Sequence, residues 1–442
     1  MGRSKEFEDS LTSAWRNKLS VQLSDWTILI YIAAHNNLDH HASNSLNQIL
    51  AAGSSERVKV AVLFDSWLGA TRYIAGGPGT PAVEEKLGSF DSGRPDELFA
   101  TAQWVYEKHP AKQYGLVLWS HGDGYWDQKE LVKIAKKAQT GMIDSETIVR
   151  SVVRPSMALF SSTLEEIMRE VNPDDRAILF DDGTQHSLDT LQLAQVMAEL
   201  HQRNWPIALL GMDACLMGNI EVAYELRNTV RYMVASEELV PGTSWPYDTI
   251  LGRLHQQPDM AAGDLAQHIV GDYAAYYRAN PPAFGTADVT KVALDLARIG
   301  ELQAPIKALA DTLRAHMDED HVAFHAAQLA AFKQETYENR RDWQKSKFGY
   351  HLWDLRTLAV GIAAQTQRAE LKAAAEAVAA GLKPGGVVMA EAHEGAWFDG
   401  IGGVSVYMAP GGKPLSAKYR GLAFARDTGW WEVLKGWQGE AG

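Results

Sequence analysis

The chain contains one cysteine in 442 residues, Cys215, and it follows an apolar run, Pro206 to Met212, with Asp213 and Ala214 between. A second apolar run, Tyr114 to Trp119 (YGLVLW), ends in Ser120, His121 and Gly122. A thiol attacks a carbonyl carbon as the thiolate, so it needs a base within reach and a positive local field. His121 has the chemistry of that base. A helix expected from about Asn219 to Asn228 would supply the field through its unbonded N–H groups and dipole. Gly122 has no side chain, so its backbone N–H could approach a substrate closely. With the N–H of Cys215 it could hold a developing oxyanion. The alternative is a buried thiol and a hydrogen-bonded histidine at two strand ends, because an unpaired cysteine commonly behaves as a small hydrophobe.

Both reactive side chains thus depend on strands that deliver them at their carboxyl ends, which is where open α/β sheets form their crevices. Trp26 to Ala34 (WTILIYIAA) and Val58 to Phe64 (VKVAVLF) are further continuous apolar runs, as expected of strands enclosed on both faces. Tyr232 to Ser236 predicts another strand, and Arg72 to Ala75 a short edge strand. Helices are expected over His40 to Ala52, Pro95 to Lys108 and Leu191 to Gln202, the second opened by Pro95 and Asp96. Strands alternating with helices favour a mostly parallel sheet with helices on both sides. From about Met260 the chain is Ala-rich and more helical, with helices expected over Ala261 to Ala279, Leu294 to His316, Val322 to Thr336 and Arg368 to Ala380. A late strand, Gly403 to Met408, follows a Gly-rich turn. Between Gly122 and Pro155 the pattern breaks into a long polar insertion carrying Lys133, Lys136, Lys137, Arg150 and Arg154. Loops of that length are commonly functional or disordered.

Composition narrows the function. With 46% apolar and 22% charged residues the chain is an ordinary globular protein. A net charge of −13 argues against a general nucleic-acid binder, which needs a basic face. A single cysteine excludes a disulfide within the chain and a zinc site built on paired cysteines. No stretch reaches the eighteen or so apolar residues of a membrane span, and the first twenty residues have no signal-peptide core. A cytoplasmic protein is expected, or a secreted one if a leader was removed. Gly400 to Gly403 leads into a strand, so it is no dinucleotide fingerprint, and His393-Glu394 lacks a second histidine for zinc. Trp430, Trp431 and Trp437 are read as packing residues, with a partner surface as the alternative.

Several blocks together resemble the clostripain-like cysteine peptidases, relatives of the caspases. Met212-Asp213-Ala214-Cys215-Leu216-Met217, then Glu221 to Leu226, Ala235 to Glu238, Pro241-Gly242 and Trp245 to Asp248, are similar to that family's nucleophile block. Leu118 to Gly122 resembles its histidine block, Trp26 to Asp39 its first strand and loop, and Gly403 to Tyr407 its C-terminal strand. The resemblance implies a caspase-like α/β fold with a catalytic domain over residues 1–255, including the insertion at about 127–155. A helix-rich region over 256–442 would pack against it. It implies Cys215 as nucleophile, His121 as base and then acid, and Gly122 with Cys215 as oxyanion donors. No organic cofactor is implied. Substrates would be peptides or proteins with Arg or Lys before the scissile bond, the basic side chain meeting an acid two places before the cysteine, here Asp213. The alternative is that Asp213 caps the following helix.

One departure bears on selectivity. Many relatives read Pro-Gly-Asp-Gly-Trp-Pro where this chain has Pro241-Gly242-Thr243-Ser244-Trp245-Pro246, so basic selectivity could be weaker or restricted to one of Arg and Lys. Ser236, Glu237 and Trp245 are further substrate-binding candidates, with a structural role as the alternative for Glu237. Several relatives cut themselves between histidine and cysteine to become active. Lys133, Lys136, Lys137, Arg150 and Arg154 all lie in that window, where a solvated charged loop is the other reading. Some relatives require calcium; Asp174, Asp175, Asp181, Asp182 and Asp189 are candidate ligands, although their spacing fits no EF-hand. The expectation is a cysteine endopeptidase activated by cleavage in the insertion. Its rivals are a catalytically silent interaction protein on the same fold and a thiol amidase acting on non-peptide substrates.

Overall fold

Every residue of Ser24–Ala33 is buried, and this stretch forms an interior strand, β1. A strand enclosed on both faces must point apolar side chains both ways, which WTILIYIA does. The computed structural model describes residues 23–36, 38–77, 80–120, 178–181, 186–238, 240–281, 289–317, 352–395, 398–408, 415 and 417–437. The other described strands of the same sheet are β2 (Val58–Asp65), β3 (Thr71–Ile74), β4 (Val83–Lys86) and β5 (Ala111–Trp119). They continue with β6 (Ile207–Asp213), β7 (Val230–Ala235), β8 (Val289–Asp295) and β9 (Val388–Glu394). Their spatial order is β9-β8-β7-β6-β5-β1-β2-β3-β4. The strands from β7 through β2 are mutually parallel, and antiparallel pairs complete both edges. The mostly parallel sheet expected from the alternating pattern is therefore present.

The described helices that flank it include α1 (Asp39–Ala52), α2 (Pro95–Lys108), α3 (Thr190–Gln202), α4 (Ile220–Leu226) and α5 (Tyr247–Gln256). Further along are α6 (Ala262–Ala279), α7 (Gln303–Ala315), α8 (Leu355–Gln365) and α9 (Ala369–Gly381). Helices α1, α5 and α6 bury their apolar sides on one face of the sheet. The other face is covered by α2, α3, α4 and α7, with α8, α9 and the segment ending in Trp430–Trp437 completing that core. Trp430 is fully buried and donates from its indole N–H to the Tyr407 carbonyl at 3.1 Å, so this tryptophan is indeed a packing residue.

Two strands depart from the sequence reading. The helix expected from Leu294 begins later, because Val289–Asp295 is a strand between β7 and β9. Its alternation serves two cores: Val289 and Ala293 face α6, while Val292 and Leu294 face the opposite side. Asp295 then accepts from the Ala297 N–H at 3.1 Å and starts a 3-10 turn, Leu296–Leu302, before α7. Strand β9 opens on the short apolar run Val388-Met389-Ala390, turns polar at Glu391, His393 and Glu394, and is an edge strand paired with β8. The late strand appears as Ser405–Tyr407, paired with Leu352–Asp354 outside the main sheet.

Candidate active site

The carboxyl ends of β1, β5 and β6 lie side by side. Trp119, last in β5, is in register with Asp213, last in β6. Ser120 ties the three ends together, its N–H donating to the Asp213 carbonyl at 3.4 Å and its hydroxyl to the Ala33 carbonyl at 2.8 Å.

Asp213 is 3% exposed and turns toward the face covered by α5 and α6. Its Oδ2 accepts from the Ser244 hydroxyl, from the Tyr247 hydroxyl at 2.8 Å and from the Trp245 N–H at 3.3 Å. Oδ1 has no hydrogen-bond partner among the described residues. Ser244 is held in turn by the Trp119 indole N–H at 2.7 Å. The Tyr277 hydroxyl donates to the Ser244 carbonyl at 2.9 Å. Burial pushes the Asp213 carboxyl up, while the nearby Lys291 charge and these donors pull it back. The alternative role, capping the following helix, is taken by Asn219, whose Oδ1 accepts from the N–H groups of Glu221 and Val222 at 3.1 and 3.3 Å.

Cys215 is 6% exposed. Its sulfur accepts from the Val240 N–H at 3.3 Å. The next residue, Leu216, has φ of +62°, a conformation that costs a branched side chain on the order of 1–2 kcal/mol and that proteins retain at functional turns. This reversal lays the chain along the segment after β7: Leu216 N–H donates to the Glu238 carbonyl at 3.2 Å and Gly218 N–H to the Ser236 carbonyl at 2.6 Å. A Cβ on Gly218 would stand 2.7 Å from the Glu237 nitrogen, so only glycine allows this approach. The helix beyond, α4, begins at Ile220 with Asn219 as its cap, as expected from the sequence, and Asn219 consumes two of its first donors. The helix field expected at the sulfur is correspondingly reduced.

The remaining candidates divide between the two faces. Trp245 is 1% exposed and covers Gly211, where a Cβ would lie 2.9 Å from the indole ring. Ser236 is fully buried and its hydroxyl donates to the Thr290 carbonyl at 2.8 Å. Glu237 is instead brought to Asp354. Burial first, then the charge and hydrogen bond of Asp354, hold the Glu237 carboxyl well above the usual range. The structure thus gathers Asp213, Ser236 and Trp245 near Cys215, and sends the Glu237 carboxyl to a separate acidic pair. His121 and Gly122 lie outside the described residues, as do Lys133, Lys136, Lys137, Arg150 and Arg154.

Among the calcium candidates, Asp189 is spent on a capping box, accepting from the Gln192 N–H at 2.8 Å. Asp174, Asp175 and Asp182 lie outside the described residues, and so does the side chain of Asp181. Among the described residues no three His, Cys, Asp or Glu side chains converge as a metal site.

Sequence reasoning missed Lys291 and Tyr273. Lys291 is fully buried on β8, with Nζ 4.0 Å from the Tyr273 ring centroid and 4.8 Å from that of Trp245. The available signal was a charged residue in the core-facing register of VTKVALD, legible only once that segment is recognised as a strand.

A sequence model described as the clostripain family matches residues 30–140 and 159–437. Three solved structures are similar across 92% of this chain and 99% of theirs. A secreted C11 cysteine protease from Bacteroides thetaiotaomicron, bound to an irreversible peptide inhibitor, is 18% identical with a TM-score of 0.62. An inactive zymogen C11 protease from Parabacteroides distasonis is 16% identical with a TM-score of 0.58. A further secreted C11 cysteine protease from Bacteroides thetaiotaomicron is 14% identical with a TM-score of 0.59. No curated protein matches the sequence.

Proposed function

The chain belongs to the clostripain family of cysteine peptidases, and from that premise we propose that it is an endopeptidase cutting after basic residues, Arg or Lys, through Cys215 and His121. Cys215 attacks the scissile carbonyl and His121 takes the thiol proton, then gives a proton to the leaving amine. The acyl group remains on sulfur as a thioester until water, activated by the same imidazole, releases it. The N–H groups of Gly122 and Cys215 hold the oxyanion. The observation that carries this reading is the register of β5 with β6. Trp119, two residues before His121, is paired with Asp213, two residues before the chain's one cysteine.

Asp213 is the group that selects a basic side chain. Its Oδ2 is anchored by three donors while its Oδ1 has no partner among the described residues, an arrangement suited to receiving a guanidinium. Ser236 and Trp245 line the same neighbourhood. Glu237 acts from the opposite face by shaping the turn after β7, where its N–H donates to the Thr290 hydroxyl at 3.1 Å.

Activation proceeds by cleavage after a basic residue in the 127–155 insertion, at Lys133, Lys136, Lys137, Arg150 or Arg154. The enclosure of Cys215 and Asp213, at 6% and 3% exposure, supports a form that must open before a substrate enters. No described helix is long and apolar enough to cross a membrane. A panel of fluorogenic peptides ending in Arg, Lys or Asp tests the proposal: Arg and Lys peptides are turned over by the processed enzyme and not by Cys215→Ala. Turnover of Asp peptides alone would refute the pocket, and turnover by Cys215→Ala would refute the nucleophile.

A further inference from the structure

Two buried charged groups stand on the same face of the sheet near Cys215, and each has a polar atom without a hydrogen-bond partner among the described residues: Lys291 at Nζ and Asp213 at Oδ1. The register brings them to a common row. β6 pairs with β7 through Gly211 and Val234, and β8 with β7 through Val292 and Ala235. Continuing the first pairing by two residues and the second by one sets Asp213 and Lys291 on either side of Ser236. Trp245, whose N–H donates to Asp213, is also one of the two rings over Lys291. The aromatic faces of Trp245 and Tyr273 partly offset the desolvation of the ammonium. A buried cation still requires a compensating anion, because rings alone recover only part of its hydration.

We propose that Lys291 is a specificity-determining residue: its ammonium, caged by Trp245 and Tyr273, is the internal counter-charge of Asp213 and holds down the preference for a basic side chain. This rests on the reading of Asp213 as the carboxylate that meets the substrate residue before the scissile bond. An incoming guanidinium finds a carboxylate already compensated, and its own charge repels the ammonium. Among the described residues, Asp213 is the carboxylate and Cys215 the thiol that act on the Lys291 charge.

Several groups surround Lys291. Asp213 at the end of β6 and Cys215 beyond it act on its charge. Ser236 follows β7, Ala392 of β9 is its register partner, and Trp245 and Tyr273 cover it. Tyr273, Tyr277 and Tyr247 are pushed up by burial and stay uncharged at neutral pH. Burial lowers Lys291 to about 7, with Asp213 and then Cys215 opposing that shift. Above this value the amine is neutral and Asp213 is released to pair with substrate; below it, binding a basic side chain must expel the proton.

The test compares the processed enzyme on two peptides identical except for Arg or citrulline before the scissile bond, an isosteric pair differing in charge. The titrations of Cys215 and His121 act on both peptides and cancel in the ratio of kcat/KM. In the wild type the Arg/citrulline ratio rises about fivefold or more from pH 6 to pH 8, within the tenfold per pH unit that one linked proton allows. Lys291→Met shows a ratio at pH 6 several-fold above the wild type. Lys291→Arg, which keeps a charge that does not titrate, holds the ratio low and flat over the same range. A wild-type ratio independent of pH, a Lys291→Met ratio at pH 6 no higher than the wild type, or a Lys291→Arg ratio that follows the wild-type rise would each overturn the proposal. If Lys291→Met fails to fold, the wild type and Lys291→Arg decide it. Turnover of neither peptide by the wild type would remove the endopeptidase reading itself, and this proposal with it.

Discussion

At the scale of single residues, the site is a set of contacts in which each group limits its neighbour. Gly211 is the clearest example. Its missing Cβ lets the Trp245 ring lie against β6, and Trp245 in turn aims a backbone donor at Asp213 and caps Lys291. Gly211→Ala forces a methyl to 2.9 Å from a fully packed indole, so it should destabilise the protein by about 1–3 kcal/mol, as overpacking does. Urea denaturation measures the loss, and an unchanged midpoint would mean that Trp245 moves freely. Cys215 and Asp213 were readable in the sequence because both end an apolar run, a position that speaks for itself. Lys291 was not, since a lysine in an unrecognised strand looks like any solvated lysine.

At the scale of elements, the five parallel strands were legible because strands enclosed on both faces must be apolar throughout. The strands at the sheet's edges were not. β4 is exposed over all of Val83–Lys86, and β9 is only half-buried beyond Val388 and polar at Glu391, His393 and Glu394, so neither carries the signal that full burial imposes. One buried acid links the element after Cys215 to the C-terminal region. Glu221 of α4 accepts from the Tyr407 N–H at 2.9 Å and the Tyr419 hydroxyl at 2.8 Å, and burial pushes its carboxyl up to about 7. A folded-state value above the unfolded one means that stability is fully present below the unfolded value and lost as pH rises through about 7. Glu221→Gln keeps the accepting oxygen and cannot ionise. It should therefore remove up to about 3 kcal/mol of the stability lost between pH 5 and pH 8. Denaturation at both pH values checks this, and an unchanged pH slope would show that Glu221 does not titrate there. Residual slope is expected, because Glu237, Asp354, Glu391 and Glu225 are shifted in the same direction.

At the scale of the whole molecule, the family match spans most of the chain, including strands on both sides of the insertion. Cys215 and Asp213 are enclosed at 6% and 3% exposure, and the proposed cleavage in the insertion would open them. Mass spectrometry of the purified wild type should find fragments ending in Lys or Arg between residues 127 and 155, with Cys215→Ala remaining intact. Full activity of an uncut chain would remove the activation step. Covalent labelling tests whether Cys215 is a thiolate nucleophile served by His121, as proposed. Because the chain has one cysteine, a peptidyl-arginine reagent that alkylates thiolates can be traced to one atom. Labelling should give one adduct per processed wild-type chain, located on Cys215, and should be slowed at least about a hundredfold in His121→Ala, the scale of general-base assistance. Equal labelling of both proteins, or inhibition with Cys215 unmodified, would contradict the proposal.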